Sequence, residues 1–283
     1  MVISYSPEST ALIRLALQED LAHGDPTSEA IFSSADRMKA VFRAREPLSV
    51  SGIDVVRSVF QQLDSDIVLT PHCQDGDRRD PGDVIAEVTG ATISVLAGER
   101  TALNFLSRLS GVASYTWRCC RALGSGRARL VDTRKTTPGW RGLEKAAVRH
   151  GGGTNHRRHL GDGCMIKDNH IAAAGGITAA IQKVKQQAHH LIRVEVEVDH
   201  FGQLAEVLEA GADVIMLDNF TNDEVEQATR LIRAERPEVL IELSGGMTVE
   251  RLPSLQALDI DFVSMGALTH GARSVDIGLD FLT

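Results

Sequence analysis

Several things are missing from this 283-residue chain, and each absence narrows what it can be. No apolar run approaches the ~20 residues that cross a bilayer. The opening M-V-I-S-Y-S-P-E-S-T has neither the basic nor the apolar region of a secretory signal. The four cysteines, Cys73, Cys119, Cys120 and Cys164, form no C-x-x-C pair, so they read as reduced thiols of a cytoplasmic protein. No low-complexity tract or disordered tail is present. Gly151-Gly152-Gly153 is not followed by G-K-[ST], which excludes a P-loop, and no G-x-S-x-G elbow occurs. His156, His159 and His170 do not fall into H-x-x-x-H or H-E-x-x-H, and histidines among arginines make a poor cation site. The stretch D-G-D-R-R-D-P-G-D-V-I-A-E-V-T-G has the turns of a biotinyl or lipoyl carrier. No lysine stands between Lys39 and Lys135 to carry the group, so that role is excluded.

Positive charge is instead concentrated between Val131 and His170. Arg134, Lys135, Arg141, Lys145, Arg149, Arg157, Arg158 and Lys167 face only Asp132, Glu144, Asp162 and Asp168. The stretch is +4 in a chain of −8, so the remainder carries −12. A local positive field in an acidic protein points to a focused anion site rather than a nucleic-acid surface. A charge run is usually a solvated face. Here the cations alternate with Thr, Asn, His and Gly, residues suited to close ligand contact.

The pattern divides near residue 112. A helix is expected over 8–22, with Leu12, Leu15 and Ala16 on one face, followed by a G-D-P-T turn. Strands follow from Met38, a short helix over 53–63, strand and turn over 67–95, and a long helix over 97–123 that Gly111 interrupts. Residues 1–112 therefore read as an α+β domain, joined by 271–283 if the last residues fold back. Beyond it, short apolar strands recur at R-L-V-D-T, C-M-I-K-D, R-V-E-V-E-V-D, V-I-M-L-D-N, L-I-E-L-S-G-G and F-V-S-M-G-A. Helical patterns near 177–190, 202–210, 222–235 and 249–257 separate most of them. This alternation implies parallel βαβ pairing. Six strands fall short of the ~250 residues of a full eight-unit barrel, so residues 113–270 are expected to form an incomplete six- or seven-stranded α/β barrel.

Most of these strands end in a group that can do chemistry: Asp132 to Lys135, Lys167 to His170, Glu197 and Asp199, Asp218-Asn219, Ser244-Gly245-Gly246, and Gly266. In parallel α/β folds the C-terminal strand ends form one rim, where active sites are built. Any strand turns polar where it meets a loop, but that predicts polarity at both ends, not cations, carboxylates and glycines at one. Arginine and lysine there suit a substrate with several carboxylates or phosphates. Glu197 and Asp218 could hold Mg²⁺ or stabilise a cationic transition state. Ser244-Gly245-Gly246, with Met265-Gly266-Ala267 on the next strand, offers main-chain N–H groups for a phosphate.

With these residues assembled, the chain resembles the quinolinate phosphoribosyltransferases, the decarboxylating enzymes of NAD biosynthesis. The resemblance rests on E-D-L-A-H-G-D-P-T, G-E-R-T-A-L-N-F-L-S-R-L-S-G-V-A, D-T-R-K-T-T-P-G, G-G-G-x-N-H-R, I-K-D-N-H-I, E-V-E-V, L-D-N, S-G-G-M-T and S-M-G-A-L-T-H, in the family's order. It implies an N-terminal open sandwich, an incomplete TIM-like barrel, and a homodimer whose active site is shared between subunits; dimer and hexamer both stay open. By the same resemblance Arg134, His156, Arg157 and Lys167 would bind quinolinate, joined by Arg100 of a neighbouring subunit, and Thr133 would also be substrate-binding. Lys135, Glu197 and Asp218 would handle phosphoribosyl pyrophosphate with Mg²⁺. Ser244, Gly245, Gly246, Met265, Gly266, Ala267 and His270 would line its phosphate pocket. Lys135, Lys167, Glu197 and Asp218 would carry the catalysis. Glu195 shares a strand face with Glu197, and Glu197 is preferred because it lies nearer the C-terminal end.

Two departures stand out: Trp140, where the family often has a smaller apolar residue, and the extra charge of R-R-H-L at 157–160. Neither removes a named group. A paralogue acting on another acceptor would be expected to alter I-K-D-N-H or L-D-N. A catalytically dead anion sensor would have lost Lys135, Glu197 or Asp218. All of these are intact.

Overall fold

The structure is a computed structural model that describes residues 7–282, so the first six residues of the expected opening lie outside it. Contacts divide the described residues into two compact units, the first formed by residues 7–117, 136–152 and 268–282, the second by 118–135 and 153–267. The sequence put 1–112 together with a returning 271–283; the packing division also brings 136–152 into that unit.

The first unit is an antiparallel sheet with helices. In chain order it holds α1 (Pro7–Asp20), α2 (Pro26–Ile31), β1 (Arg37–Ala44), β2 (Leu48–Ser49), α3 (Ile53–Leu63), β3 (Val68–Pro71), β4 (Arg78–Arg79), β5 (Val84–Ala91) and most of α4 (Thr92–Leu123). G-D-P-T is not a simple turn. Asp25 accepts hydrogen bonds from the Thr27 and Ser28 amides at 3.1 Å, and Pro26 occupies the first helical position, so α2 starts there. The helix expected from Ala97 begins at Thr92, and Gly111 does not interrupt it. A Cβ at Gly111 would meet the Arg273 carbonyl oxygen at 2.0 Å, so the glycine serves close approach rather than helix termination. The last residues do return: β12 (Ile277–Phe281) pairs antiparallel with β1, giving the order β12-β1-β5-β3. Ile53, Val55, Val56, Val59 and Phe60 of α3 are buried, and the Phe60 ring packs 6.2 Å from that of Phe42. Each such large side chain removed from water contributes about 2–3 kcal/mol.

The second unit contains a six-stranded parallel sheet. Its strands are β6 (Arg129–Val131), β7 (Cys164–Ile166), β8 (Val194–Val198), β9 (Val214–Asp218), β10 (Leu240–Ser244) and β11 (Phe262–Ser264), ordered β6-β11-β10-β9-β8-β7. A parallel bridge from Val131 to Thr154 extends the β6 edge. Helices α6 (Asp168–Ala174), α7 (Ile177–Gln187), α8 (Leu204–Ala210) and α9 (Asn222–Glu235) connect successive strands. Thr221 caps α9 reciprocally with Glu224, a signature visible in T-N-D-E. The helix expected over 249–257 is reduced to a 3₁₀ turn at Leu252–Leu255, where Pro253 removes a donor. Residues 141–150, where the sequence showed only charge, form α5 (Arg141–His150) and pack with the first unit, as does all but Ala267 of α10 (Ala267–His270). Among the described residues no helix is long and apolar enough to cross a membrane.

Register places the site. Glu197 pairs with Met216, Met216 with Glu242, and Asp218 with Ser244. Pairs in parallel strands share a face and faces alternate, so Glu195, Glu197, Met216, Asp218, Glu242 and Ser244 lie on one side. A buried parallel sheet is normally apolar throughout. Acids inside V-E-V-E-V and L-I-E-L-S break that rule and mark the polar side.

Candidate active site

That side bounds a cavity of about 350 Å³, within the range of small-molecule sites. Thr133, Arg134, Lys135, His156, Arg157, Lys167, Glu197, Asp218 and Ser244, all expected from the sequence, line it. Met165, Met216, Glu242 and Ser264 complete the lining. Of the eight cations noted in the sequence, four face the cavity. Arg141, Lys145 and Arg149 lie on α5, and the Lys145 side chain is buried there. Arg158 is not among the lining residues.

The cationic wall is assembled locally. The Lys135 amide donates to Thr133 Oγ1 at 3.0 Å, tightening the loop after β6. Arg157 donates to the Gly163 carbonyl at 2.9 Å and approaches Met165 Sδ at 3.6 Å. Burial, and then the neighbouring Arg134 guanidinium, act against its positive charge. Two guanidiniums held together in a half-closed site favour a multiply charged anion. Lys167 reaches across to an ion pair with Glu197, whose side chain is 11 % exposed.

The opposite wall is acidic. Asp218 accepts a hydrogen bond from the Asn219 side-chain amide at 2.7 Å. Asn219 is the one non-glycine described with positive φ, at 60°. That conformation turns its side chain back over Gly245, where a Cβ would stand 2.2 Å from Asn219 Oδ1. L-D-N and S-G-G, far apart in sequence, thus form one interlocked corner. Gly246 also has positive φ, at 58°. The oxygens of Glu197, Asp199 and Asp218 lie within 4.8 Å of one another, and an all-oxygen donor set of this kind fits Mg²⁺.

Three buried acids, none of them among the expected site residues, converge on His156. Asp132 accepts from the His156 amide at 2.9 Å and from the Asn155 side chain at 2.6 Å. His156 Nε2 lies 3.3 Å from Glu195 and 3.5 Å from Glu242. The Arg157 amide donates to His156 Nδ1 at 2.7 Å. Burial opposes a charged ring, but the hydrogen bonds to Glu195 and then Glu242 prevail and push His156 up to about 9. Burial raises the Glu195 carboxyl. An amide directed at Nδ1 demands a lone pair there, so the extra proton belongs on the side of Nε2 and the two carboxylates. Charge on the cluster is the same wherever that proton sits. Glu195 Oε1, Glu242 Oε1 and Ser264 Oγ are buried without a hydrogen-bond partner. The available signal was an acid at an inward position of an apolar strand.

Some expected residues lie elsewhere. Arg100 lines a separate cavity of about 210 Å³ in the first unit with Glu19, Asp20, Asn104, Phe105 and Trp140, where Trp140 stacks on Phe105 at 4.5 Å. His270 is exposed on α10 and groups with the first unit. Gly245, Gly246, Gly266 and Ala267 follow the ends of β10 and β11 without contributing to the cavity lining. Met265 is buried and its amide bonds to the Val131 carbonyl at 3.0 Å.

Relatives match this architecture along nearly its whole length. The profile described as quinolinate phosphoribosyl transferase, N-terminal domain, matches residues 25–110, and that of the C-terminal domain matches 112–280. The chain is 44% identical over 262 residues to a probable nicotinate-nucleotide pyrophosphorylase (carboxylating) of Bacillus subtilis, covering 93% of this chain and 89% of that one. It is 37% identical to the nicotinate-nucleotide pyrophosphorylase (carboxylating) of Homo sapiens, over 88% of this chain and 84% of that one. The crystal structure of NadC from Streptococcus pyogenes superposes with a TM-score of 0.93 at 40% identity, covering 99% of each chain. The chain belongs to the quinolinate phosphoribosyltransferase family.

Proposed function

We infer that the protein transfers the phosphoribosyl group of phosphoribosyl pyrophosphate to quinolinate with loss of CO₂, forming nicotinate mononucleotide and pyrophosphate in NAD biosynthesis. The observation that carries this reading is one cavity holding four cations along one wall and Glu197 and Asp218 on another. The first wall suits a dicarboxylate, the second a sugar carbon that becomes cationic.

Arg134 and Arg157 hold the two quinolinate carboxylates, with His156 behind them as the support of Arg157, and Lys167 exchanges Glu197 for one of them. That exchange releases the Glu197 carboxylate toward the ribose. The C1–O bond to pyrophosphate breaks as the bond from the pyridine nitrogen to C1 forms, and Glu197 and Asp218 stabilise the intervening positive charge. Lys135 offsets charge building on the departing pyrophosphate. Glu197 and Asp218 would hold Mg²⁺, which would neutralise charge on that leaving group. Ser244 and the glycines after it receive the 5′-phosphate. The quaternised ring then stabilises the electron pair left on carbon as CO₂ departs, and the Lys167 ammonium supplies the proton that replaces it. Holding both reactants in one cavity provides much of the acceleration.

Arg100 is assigned to the site of a second copy in a homodimer, as the family resemblance implies; within its own unit it lines a separate cavity. Turnover of the purified protein with quinolinate, phosphoribosyl pyrophosphate and Mg²⁺ tests the reaction, with nicotinate as a parallel acceptor. Nicotinate mononucleotide and CO₂ in equal amounts from quinolinate alone are expected. Product from nicotinate instead would remove the basis for the dicarboxylate wall.

A further inference from the structure

Buried acids are costly unless they hold something in place. Three of them, on β8, β10 and just after β6, each direct one oxygen at His156. Asp132 is fully buried, Glu195 is 7% exposed and Glu242 is 3% exposed. Asp132 fixes the main chain at His156. Glu195 and Glu242 take Nε2 of the ring from two different strands, at 3.3 and 3.5 Å. The opposite ring nitrogen accepts the Arg157 amide at 2.7 Å. The imidazole is therefore a rigid spacer between two strand carboxylates and the backbone of the arginine that enters the cavity. A flip of the ring about its axis would leave the Arg157 amide and both carboxylates without these partners.

We propose that Glu242, with Glu195, is a positioning residue for the dicarboxylate subsite, acting through the His156 ring to set the direction of Arg157. Glu242 does so from the floor of the cavity, between Met216 and Ser264, while its second oxygen lacks a partner. Its role differs from that of Glu197 and Asp218, which face the sugar. Loss of Glu242 lets the ring tilt, and the fork of Arg157 no longer meets a carboxylate with two parallel bonds. The cost falls on the acceptor and spares the pyrophosphate donor. The proposal rests on quinolinate being the acceptor.

Calorimetric titration of quinolinate and, separately, phosphoribosyl pyrophosphate into the full-length protein tests it. Wild-type protein that fails to take up quinolinate would overturn the acceptor assignment before any variant is made. Given wild-type binding, Glu242→Ala is expected to raise the Kd for quinolinate at least about tenfold, the scale of losing one charged hydrogen-bond partner, and to leave the Kd for phosphoribosyl pyrophosphate within about twofold. Glu242→Gln keeps an acceptor for Nε2 and is expected to recover most of the loss. In a His156→Ala background the further change Glu242→Ala is expected to add less than about twofold, since a residue acting through the ring has nothing left to act on. Unchanged quinolinate affinity in Glu242→Ala, or a full additional loss in the His156→Ala background, would overturn the proposal. If Glu242→Ala does not fold, Glu242→Gln decides. Should that isosteric variant also unfold, the carboxylate maintains the barrel and not the ring, and the positioning role is wrong.

Discussion

Asn219 shows how one unusual residue can be worth its conformational cost. A non-glycine in the left-handed region is disfavoured by about 1–2 kcal/mol, least so for Asn. In return its amide braces Asp218, and its oxygen fills the space that a Cβ on Gly245 would need. The two positions therefore make opposite predictions. Asn219→Gly relieves the backbone while removing the brace, so thermal stability should hold or rise slightly as kcat/KM falls about tenfold or more, the usual scale for losing a positioned hydrogen bond. Gly245→Ala adds a clash and a strained φ of +83°, so both melting temperature and kcat/KM should drop. A melting temperature that falls in Asn219→Gly would mean the amide is structural. The sequence displays L-D-N and S-G-G plainly, but not that they touch. That depends on β9 and β10 being neighbours in register, which only the folded sheet fixes.

Among the elements, those legible from the sequence are the ones whose periodicity and caps agree. Helix α3 was expected over 53–63 and is found at Ile53–Leu63; the strands of the parallel sheet likewise fall on the apolar runs. Elements were missed where another interaction decides. Charge in R-G-L-E-K-A-A-V-R-H concealed α5, whose Glu144 is fully buried and accepts from Arg108 at 2.7 Å and from the Thr137 amide at 3.0 Å. The same blindness affected Glu242, because an acid in a strand looks like a surface residue until its face is known; Glu195 was placed on the right face but passed over for Glu197. The N-terminal ends of β10 and β11, remote from the chemistry, hold a comparable cluster. Asp261 accepts from the Ile241 amide at 2.9 Å, Arg233 at 2.7 Å and Arg127 Nε at 2.8 Å. Burial works against the Asp261 carboxylate, yet the Arg233 hydrogen bond and the others outweigh it and lower its pKa below 3.8. A lowered pKa means the unfolded chain binds the proton more tightly. This stabilisation is therefore present above about pH 4 and is lost as pH falls through the folded-state value. Arg233→Ala should cost about 2 kcal/mol, less than for a fully isolated buried pair because Arg127 remains. Its kcat should be unchanged, since the bottom of such a barrel serves stability. Chemical denaturation at pH 7 and at about pH 2.5 checks the stability claim: the gap between wild type and variant should persist near pH 4 and shrink at the lower pH.

At the scale of the whole molecule one expected cation, Arg100, comes from a different unit than the rest of the site. Arg100 belongs to α4 in the first unit and lines a cavity beside Glu19 and Asp20. If it serves a neighbour's barrel, function becomes a property of the dimer, and two defective chains can repair each other. Arg100→Ala retains Lys135 and an otherwise intact barrel but offers its partner no arginine. Lys135→Ala has a disabled barrel and a usable arginine. Each homodimer should be nearly inactive. In an equal mixture after subunit exchange about half the dimers are mixed, and each contains one site with Lys135 and Arg100 both present, so recovery should approach a quarter of wild-type turnover. An Arg100 acting within its own chain gives a different result, because every site in the mixture then lacks one group. Differently tagged variants allow exchange to be verified by co-purification before activity is read. Recovery near a quarter assigns Arg100 to the partner's site; no recovery from demonstrably mixed dimers returns it to its own chain and removes the case for a shared active site.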